Sequence, residues 1–402
     1  MSNSAANAPQ PESAPQYDRG LLIMLLLITA LGPASTQVFL PALPAIQADF
    51  GVTAGIAQLG LSLPMLGMAF SDLGYGPWSD KAGRRKVLLF GVFAFLLGNA
   101  ICFTAQDIAL LIAGRVLMDC GGSVGIVLSR AIALDVYGRD KAGGIISMTL
   151  AAMAVGPMLG PLAGGVLVDT LGWRAIFVFM ASIGLGILLY VHLRFRETHS
   201  SRATDASLGD VVGWFKDLLR SRTFLGYALH SSLMWGVFMG FIGAAPYVMV
   251  NVFERPATEF GLWLIPAALG YIGGNMTSAR LSESHGVARL VVLGAAMALA
   301  AVVLLGVLMG LGLWSPWALF LPATVMAFGA GVAIPNAQAA AVDAIPAASG
   351  SASGLIGFLM MVIGAGAAQL VAMLQSDTPY PMVGVMAALM LLAAAALLIR
   401  EK

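Results

Sequence analysis

The sequence predicts an all-α membrane protein with twelve transmembrane helices in two pseudo-symmetric six-helix halves. Three observations lead there. Only 10% of the 402 residues are charged and 59% are apolar, with a mean hydropathy of +0.89; a soluble domain carries roughly 25% charged residues. Long apolar runs recur between polar turns, each near the ~20-residue length that crosses a hydrocarbon core. The second half of the chain also repeats part of the first, without a gap, at an offset of 203 residues.

In chain order, residues 1–20 are rich in Ser, Ala, Asn, Pro and Gln and read as a disordered cytoplasmic tail. No cationic start precedes an apolar stretch there, so a cleaved signal peptide is not expected, and the first helix directs insertion. The first six-helix bundle, 21–193, holds spans 21–43, 54–77, 86–105, 108–131, 143–168 and 174–193. The second and third are separated by GPWSDKAGRRKVLLFG (76–91), whose charges a soluble core would not tolerate but a cytoplasmic turn between membrane helices requires. A polar linker, 194–222, follows; its WFKDLLRS segment has the character of a short amphipathic helix lying on the membrane surface. The second bundle, 223–399, holds spans 223–248, 258–280, 288–312, 316–338, 350–374 and 380–399. Many spans are rich in Gly, Ala and Met, and small residues let helices approach closely in lipid, where apolar burial alone does not drive them together.

Lys and Arg fix the orientation. With the N-terminus inside, the outer loops hold only Arg174 and Arg255, Arg115 lies within a span, and all the other Lys and Arg fall on inner segments. Both termini are therefore predicted to be cytoplasmic.

The repeat aligns SDKAGRRKVLLFG (79–91) with SESHGVARLVVLG (282–294), pairing Ser79 with Ser282, Asp80 with Glu283, Gly83 with Gly286 and Gly91 with Gly294. Two parallel halves about an axis along the membrane normal are a transporter architecture, with a site between the halves and rocking motion around it. No filter-like loop or ring of charge suggests a channel.

These residues also carry a family resemblance that covers nearly the whole chain. GPWSDKAGRRKV resembles the loop 2–3 signature of the major facilitator superfamily: Gly, two residues, a small residue, Asp, a basic residue, any residue, Gly and a basic cluster. GPMLGPLAGG (156–165) resembles the antiporter signature of its drug:proton antiporters, and Arg115 sits where that group carries a membrane-embedded Arg. LPALPAIQADFGVT (40–53) and SRAIALDVYGRDKAGG (129–144) look like the bicyclomycin/chloramphenicol-resistance subgroup. The resemblance implies a charge network of Asp80, Arg84 and Asp135 around the turn at Gly83. It further implies that Asp80 faces the N-terminal end of the eleventh helix near Ser349, Ser351 and Ser353, latching the two halves in the outward-facing state. The bland alternative is a topology anchor. In the antiporter motif, Gly156, Gly160, Gly164 and Gly165 offer close packing, and Pro157 and Pro161 remove hydrogen-bond donors and kink the helix. Family members use this segment to seal the periplasmic side; ordinary helix packing is compatible with that role.

Three ionisable residues fall well within spans, away from their ends: Asp72, Arg115 and Asp119. A charge there costs several kcal/mol unless paired or hydrated, so each is a proton-coupling candidate. Arg115 and Asp119 share one helix face, about 10 and 16 Å below the outer boundary at ~1.5 Å per residue. The alternative is a permanent, structural salt bridge. Asp72 is a candidate for coupling or substrate contact, or a structural partner of Arg130. Related exporters carry an acid in the first helix where this chain has Gln37, which cannot titrate; either the proton site has moved to the second and fourth helices or coupling has changed. Candidate residues for a substrate cavity are Gln37, Met68, His230, Trp235, Asn336, Gln338, Phe358 and Met361, with ordinary helix–helix hydrogen bonding or packing as the alternative for each. His230 is expected near the cytoplasmic end of its helix, in a solvated setting.

No nucleotide-binding GxxxxGK[ST] or HExxH pattern occurs, and Cys102 and Cys120 form no disulfide or metal pattern. The chain is thus expected not to be an enzyme, to hold no metal or cofactor and to draw on the proton gradient. With a formal net charge of +1, nothing points to nucleic acid. The expectation is a monomeric, multi-pass protein of the bacterial inner membrane that exports lipophilic small molecules or antibiotics in exchange for protons by alternating access. The alternatives are an exporter of a specific metabolite, such as an amino acid or siderophore, and, from another class, a non-transporting membrane receptor.

Overall fold

The structure, a computed structural model, describes residues 19–198, 217–345 and 349–399. These residues fold into helices and the turns between them. In chain order the helices are α1 (Arg19–Phe50), α2 (Ala54–Ala82), α3 (Arg84–Thr104), α4 (Ile108–Gly138), α5 (139–171), α6 (Ala175–Leu193), α7 (Arg222–Val252), α8 (Ala257–His285), α9 (Val287–Gly310), α10 (Pro316–Asp343), α11 (Ser349–Met373) and α12 (Tyr380–Ala396). Among the described residues, nine of them are long and apolar enough to cross a membrane. The 17-residue α12 is apolar but shorter. α5 and α8 lie along each other, α5 also along α1 and α8 along α10.

Local chemistry explains the helix ends. Thr53, Asp107 and Ser221 accept from the backbone N–H groups of Ile56, Leu110 and Phe224, capping α2, α4 and α7. In α1 the prolines at 41 and 44 withhold donors, and the helix tightens through a 3₁₀ turn at Leu40–Ala42. Gly83, between α2 and α3, has φ 92° and ψ 148° and donates its N–H to Ser79 O. Gly286, between α8 and α9, has φ 78° and ψ 144° and donates to Ser282 O. The same reversal therefore recurs at the residues the repeat pairs. A second correspondence is the crossing of Gly91 on Gly121 (α3 on α4) and of Gly294 on Gly329 (α9 on α10), where an added Cβ would meet the facing backbone.

Several helices outrun their apolar spans. α2 continues to Ala82, α8 to His285 and α4 to Gly138, where a φ of 69° breaks the chain and α5 begins at once. The polar stretch expected as a loop near 132–142 is instead helical. Hydropathy marks where a helix leaves hydrocarbon, not where its hydrogen bonding stops. The tail expected at 1–20 also ends earlier, since α1 begins at Arg19; residues 1–18 lie outside the described ones. Of WFKDLLRS, only its end is described. Residues 217–220 are helical and Leu218 is buried in a cluster with Phe224, Val291, Ala341 and Ile356, so this turn docks on the ends of the second set of helices.

Candidate functional site

The charged core of the first six helices is built on α4. Arg115 and Asp119, one turn apart, are both 0% exposed. Arg115 donates from Nη2 to Asp119 Oδ2 at 2.7 Å and from Nη1 to Oδ1 at 3.1 Å. Its Nε donates to the Gly60 carbonyl of α2 at 3.2 Å, and the guanidinium lies 4.3 Å from the Phe39 ring centroid. Helix α1 completes the carboxylate's shell: Ser35 Oγ donates to Oδ1, and Thr36 Oγ1 to Oδ2 at 3.4 Å. The pair thus joins three helices, and every hydrogen bond to Asp119 suits the ionised form. Gln37 follows Thr36 on α1; it is buried, and its Oε1 has no hydrogen-bond partner. The sequence offered Arg115 and Asp119 but not Ser35, Thr36 or Phe39; the signal was a Ser-Thr pair inside an apolar run, which is common in membrane helices.

Asp72 occupies a separate place. It faces a cavity of about 310 Å³ between α2, α4 and α11, shared with Arg130, Phe358 and Met361. Ser123 lies beside the carboxylate, and Oδ1 is buried without a hydrogen-bond partner. Among the described residues no ion pair joins Asp72 to Arg130.

At the end of the bundle that holds the chain termini, Arg84 gathers the turn charges. It pairs with Asp80, donates from Nε to Asp135 at 3.0 Å and from Nη1 to Ser79 Oγ at 2.6 Å. Glu197, unforeseen in the sequence, accepts the backbone N–H groups of Arg84 (2.8 Å) and Arg85 (3.2 Å), capping α3 from the start of the linker. Gly83 lies against this carboxylate, 2.5 Å from where its Cβ would be. α11 starts at Ser349, whose side chain lies outside the described ones.

The opposite end is sealed by contacts between the two sets of helices. On α5, Gly156 and Gly160 face Ala34 and Gln37 of α1, and Gly164 packs on Val38 and Pro41. Gly165, one position round, turns away from α1 and sits under Ala257 and Thr258 of α8. Gly261 of α8 packs in return on Pro161 and Leu162. Pro157 lies in the same continuous helix, α5, between the two glycines at 156 and 160. Beyond the glycines, Asp169 accepts from Ala257 N (3.2 Å), Thr258 N (2.7 Å) and Thr258 Oγ1 (2.6 Å). α8 has Pro256 at its N-cap and no side-chain cap of its own, so Asp169 caps it from the other half. Gln369 of α11 accepts from Ser62 Oγ at 2.6 Å and donates to Gly55 O at 2.8 Å, both on α2. Neither Asp169 nor Gln369 stood out in sequence as a bridge, because only the fold sets them against their partners.

The remaining cavity candidates disperse. Phe358 stacks edge-on with Phe70 at 5.6 Å between α11 and α2, and Met68 is buried on α2. Trp235 packs on Phe238, with centroids 5.6 Å apart. Gln338 donates to Met360 Sδ at 3.0 Å. Asn336 is buried and donates to Ser278 Oγ at 2.6 Å, joining α10 to α8. His230 is fully buried, its Nδ1 2.8 Å from Ala393 O of α12. It is not in the solvated setting expected of it, because α12 closes over that face of α7.

These features define a multi-pass helical membrane protein whose two sets of helices meet at one end around a glycine track and carry a buried ion pair. The chain belongs to the major facilitator superfamily, whose family model matches residues 25–369. It is similar to multidrug resistance protein D of Escherichia coli strain K12, 27% identical over 381 residues, covering 89% of this chain and 90% of that one. It is also similar to the chloramphenicol resistance protein CraA of Acinetobacter baumannii, 27% identical over 327 residues, covering 80% and 78%. Among solved structures, a bacterial homologue of the human lysosomal transporter Spinster, in an inward-facing and unoccupied conformation, superposes with a TM-score of 0.77 at 17% identity, covering 96% and 97%. The protein is therefore a major facilitator membrane transporter of small molecules with relatives named for multidrug and antibiotic resistance.

Proposed function

We propose that the protein is a proton-coupled exporter of lipophilic small molecules, working by alternating access in a bacterial inner membrane with both termini in the cytoplasm. The observation that carries this reading is the Arg115–Asp119 pair at 0% exposure, with α1 hydroxyls donating to the carboxylate. Protonating Asp119 would remove the acceptor charge that holds Ser35, Thr36 and Arg115, and so would loosen α1 against α4 and α2. A proton can thereby change how three helices pack, which coupling requires. Gln37 cannot serve as the proton site, and this assignment places that role on α4.

The other motifs take roles in the same cycle. The seal through Gly156, Gly160, Gly164, Gly165 and Asp169 holds the outer side shut. Asp80, Gly83, Arg84 and Asp135 form the cytoplasmic latch of the opposite state. Energy comes from the proton gradient without a cofactor, and the working unit is the monomer. The names of the drug-resistance relatives support the substrate class.

The test is chloramphenicol accumulation in cells lacking their own efflux pumps. It compares the intact protein, Asp119→Asn, and the intact protein with an uncoupler. Lower accumulation with the intact protein, restored in both other conditions, is the expected result. Restoration by the uncoupler alone would move coupling away from Asp119. No reduction with the intact protein, across a wider drug panel as well, would overturn the drug-export reading.

A further inference from the structure

The cavity between α2, α4 and α11 is lined by two opposite charges, Asp72 and Arg130, that form no ion pair among the described residues. Asp72 Oδ1 is buried without a hydrogen-bond partner, and Arg130, exposed, lines the same cavity from α4. Within a membrane span the Asp72 charge is costly unless something pairs or hydrates it, whereas Arg130 is exposed at the end of the cavity's α4 wall. Elsewhere in this chain the problem is solved internally, as Arg115 and Asp119 do at 2.7 Å. Here it is left open, around about 310 Å³ of space. That volume is at the lower bound of small-molecule pockets, about 300 Å³, too tight for a large drug and suited to a molecule of amino-acid size. The wall opposite the charges is soft and apolar, with the Phe358 ring and the Met361 thioether.

We propose that this cavity binds a zwitterion with an apolar, preferably aromatic, side chain. The ligand's ammonium lies on Asp72, its carboxylate on Arg130, and its side chain against Phe358 and Met361. A zwitterion satisfies both charges at once. A lipophilic cation would leave Arg130 unpaired beside it, and an anion would do the same to Asp72. The proposal rests on the export reading in making the ligand a substrate, but the binding itself does not depend on drug export or on coupling.

The experiment is equilibrium binding to the full chain purified in lipid nanodiscs, with three probes: L-phenylalanine, phenethylamine and 3-phenylpropionate. L-Phenylalanine should bind saturably and at least tenfold more tightly than either half-molecule. Asp72→Asn should weaken phenylalanine and phenethylamine at least tenfold and leave phenylpropionate unchanged. Arg130→Gln should weaken phenylalanine and phenylpropionate and leave phenethylamine unchanged. The retained probe in each variant shows that the protein is folded. Absence of phenylalanine binding to the intact chain, meaning the cavity holds water only, would overturn the proposal; so would equal losses of all three probes in both variants. Phenylalanine binding without export of chloramphenicol or of the wider drug panel would sink the drug reading alone, and the reverse would sink this one.

Discussion

Replacing Asp169 by Ala should loosen the end of the transporter where α5 meets α8, away from the chain termini. Asp169 is exposed, yet its two oxygens accept three hydrogen bonds at 2.6–3.2 Å from the first residues of α8. These bonds exist only while α5 and α8 are together, so they stabilise the sealed state and not the open one. Losing an N-terminal cap costs typically ~1 kcal/mol within a range of about 0.5–2. Solvent screening of an exposed carboxylate argues for the middle of that range rather than the top. At 1.4 kcal/mol per tenfold, ~1 kcal/mol changes the ratio of open to sealed molecules roughly fivefold. Spin labels at Leu171→Cys and Asn251→Cys, in a chain with Cys102 and Cys120 replaced by Ser, report the separation of the two halves at this end. The ratio of long- to short-distance populations should grow about fivefold in Asp169→Ala and less in Asp169→Asn, which keeps one carbonyl acceptor. An unchanged distance distribution in Asp169→Ala would show that the glycine packing seals this end without help, and the argument from capping would fall.

Three further outcomes follow from the geometry. Asp119→Asn places an amide donor against Arg115 and Thr36, which already donate; breaking a buried pair costs ~3–5 kcal/mol, so its melting temperature should fall further than that of Arg115→Gln/Asp119→Asn, and equal melting would refute a tightly coupled pair. Gly83→Ala and Gly286→Ala both force Ala into a conformation that costs ~1–3 kcal/mol, but only at position 83 does the new methyl meet Glu197, whereas at 286 it meets open space; thermal unfolding should rank Gly83→Ala as the less stable, and the reverse order would contradict the Glu197 cap. Asn336→Ala should cost ~1–3 kcal/mol by leaving Ser278 without its α10 partner while leaving phenylalanine binding unchanged; a weakened affinity would return Asn336 to the substrate cavity.

The class of this protein was legible in its composition, because lipid admits few architectures and a chain with 10% charge and long apolar runs has one evident way to satisfy its backbone. The reversal at Gly83 and its repeat at Gly286 were legible as well, since a glycine after a serine-acid pair is a local instruction that each copy carries complete. The Arg115–Asp119 contact was legible for the same reason: one helical turn separates them. What the sequence could not give was any contact whose partner lies far along the chain. Ser35 reaches Asp119 across 84 residues, Asp169 reaches Thr258 across 89 and Ser62 reaches Gln369 across 307. His230 misled for that reason, since its burial depends on α12 and not on its own helix. Local hydrogen bonding and the demand for apolar surface in lipid are written residue by residue, so the sequence alone determined the helices and their order. Which end is closed, and which charges are paired, depends on how helices distant in sequence pack, and only the tertiary structure decided it.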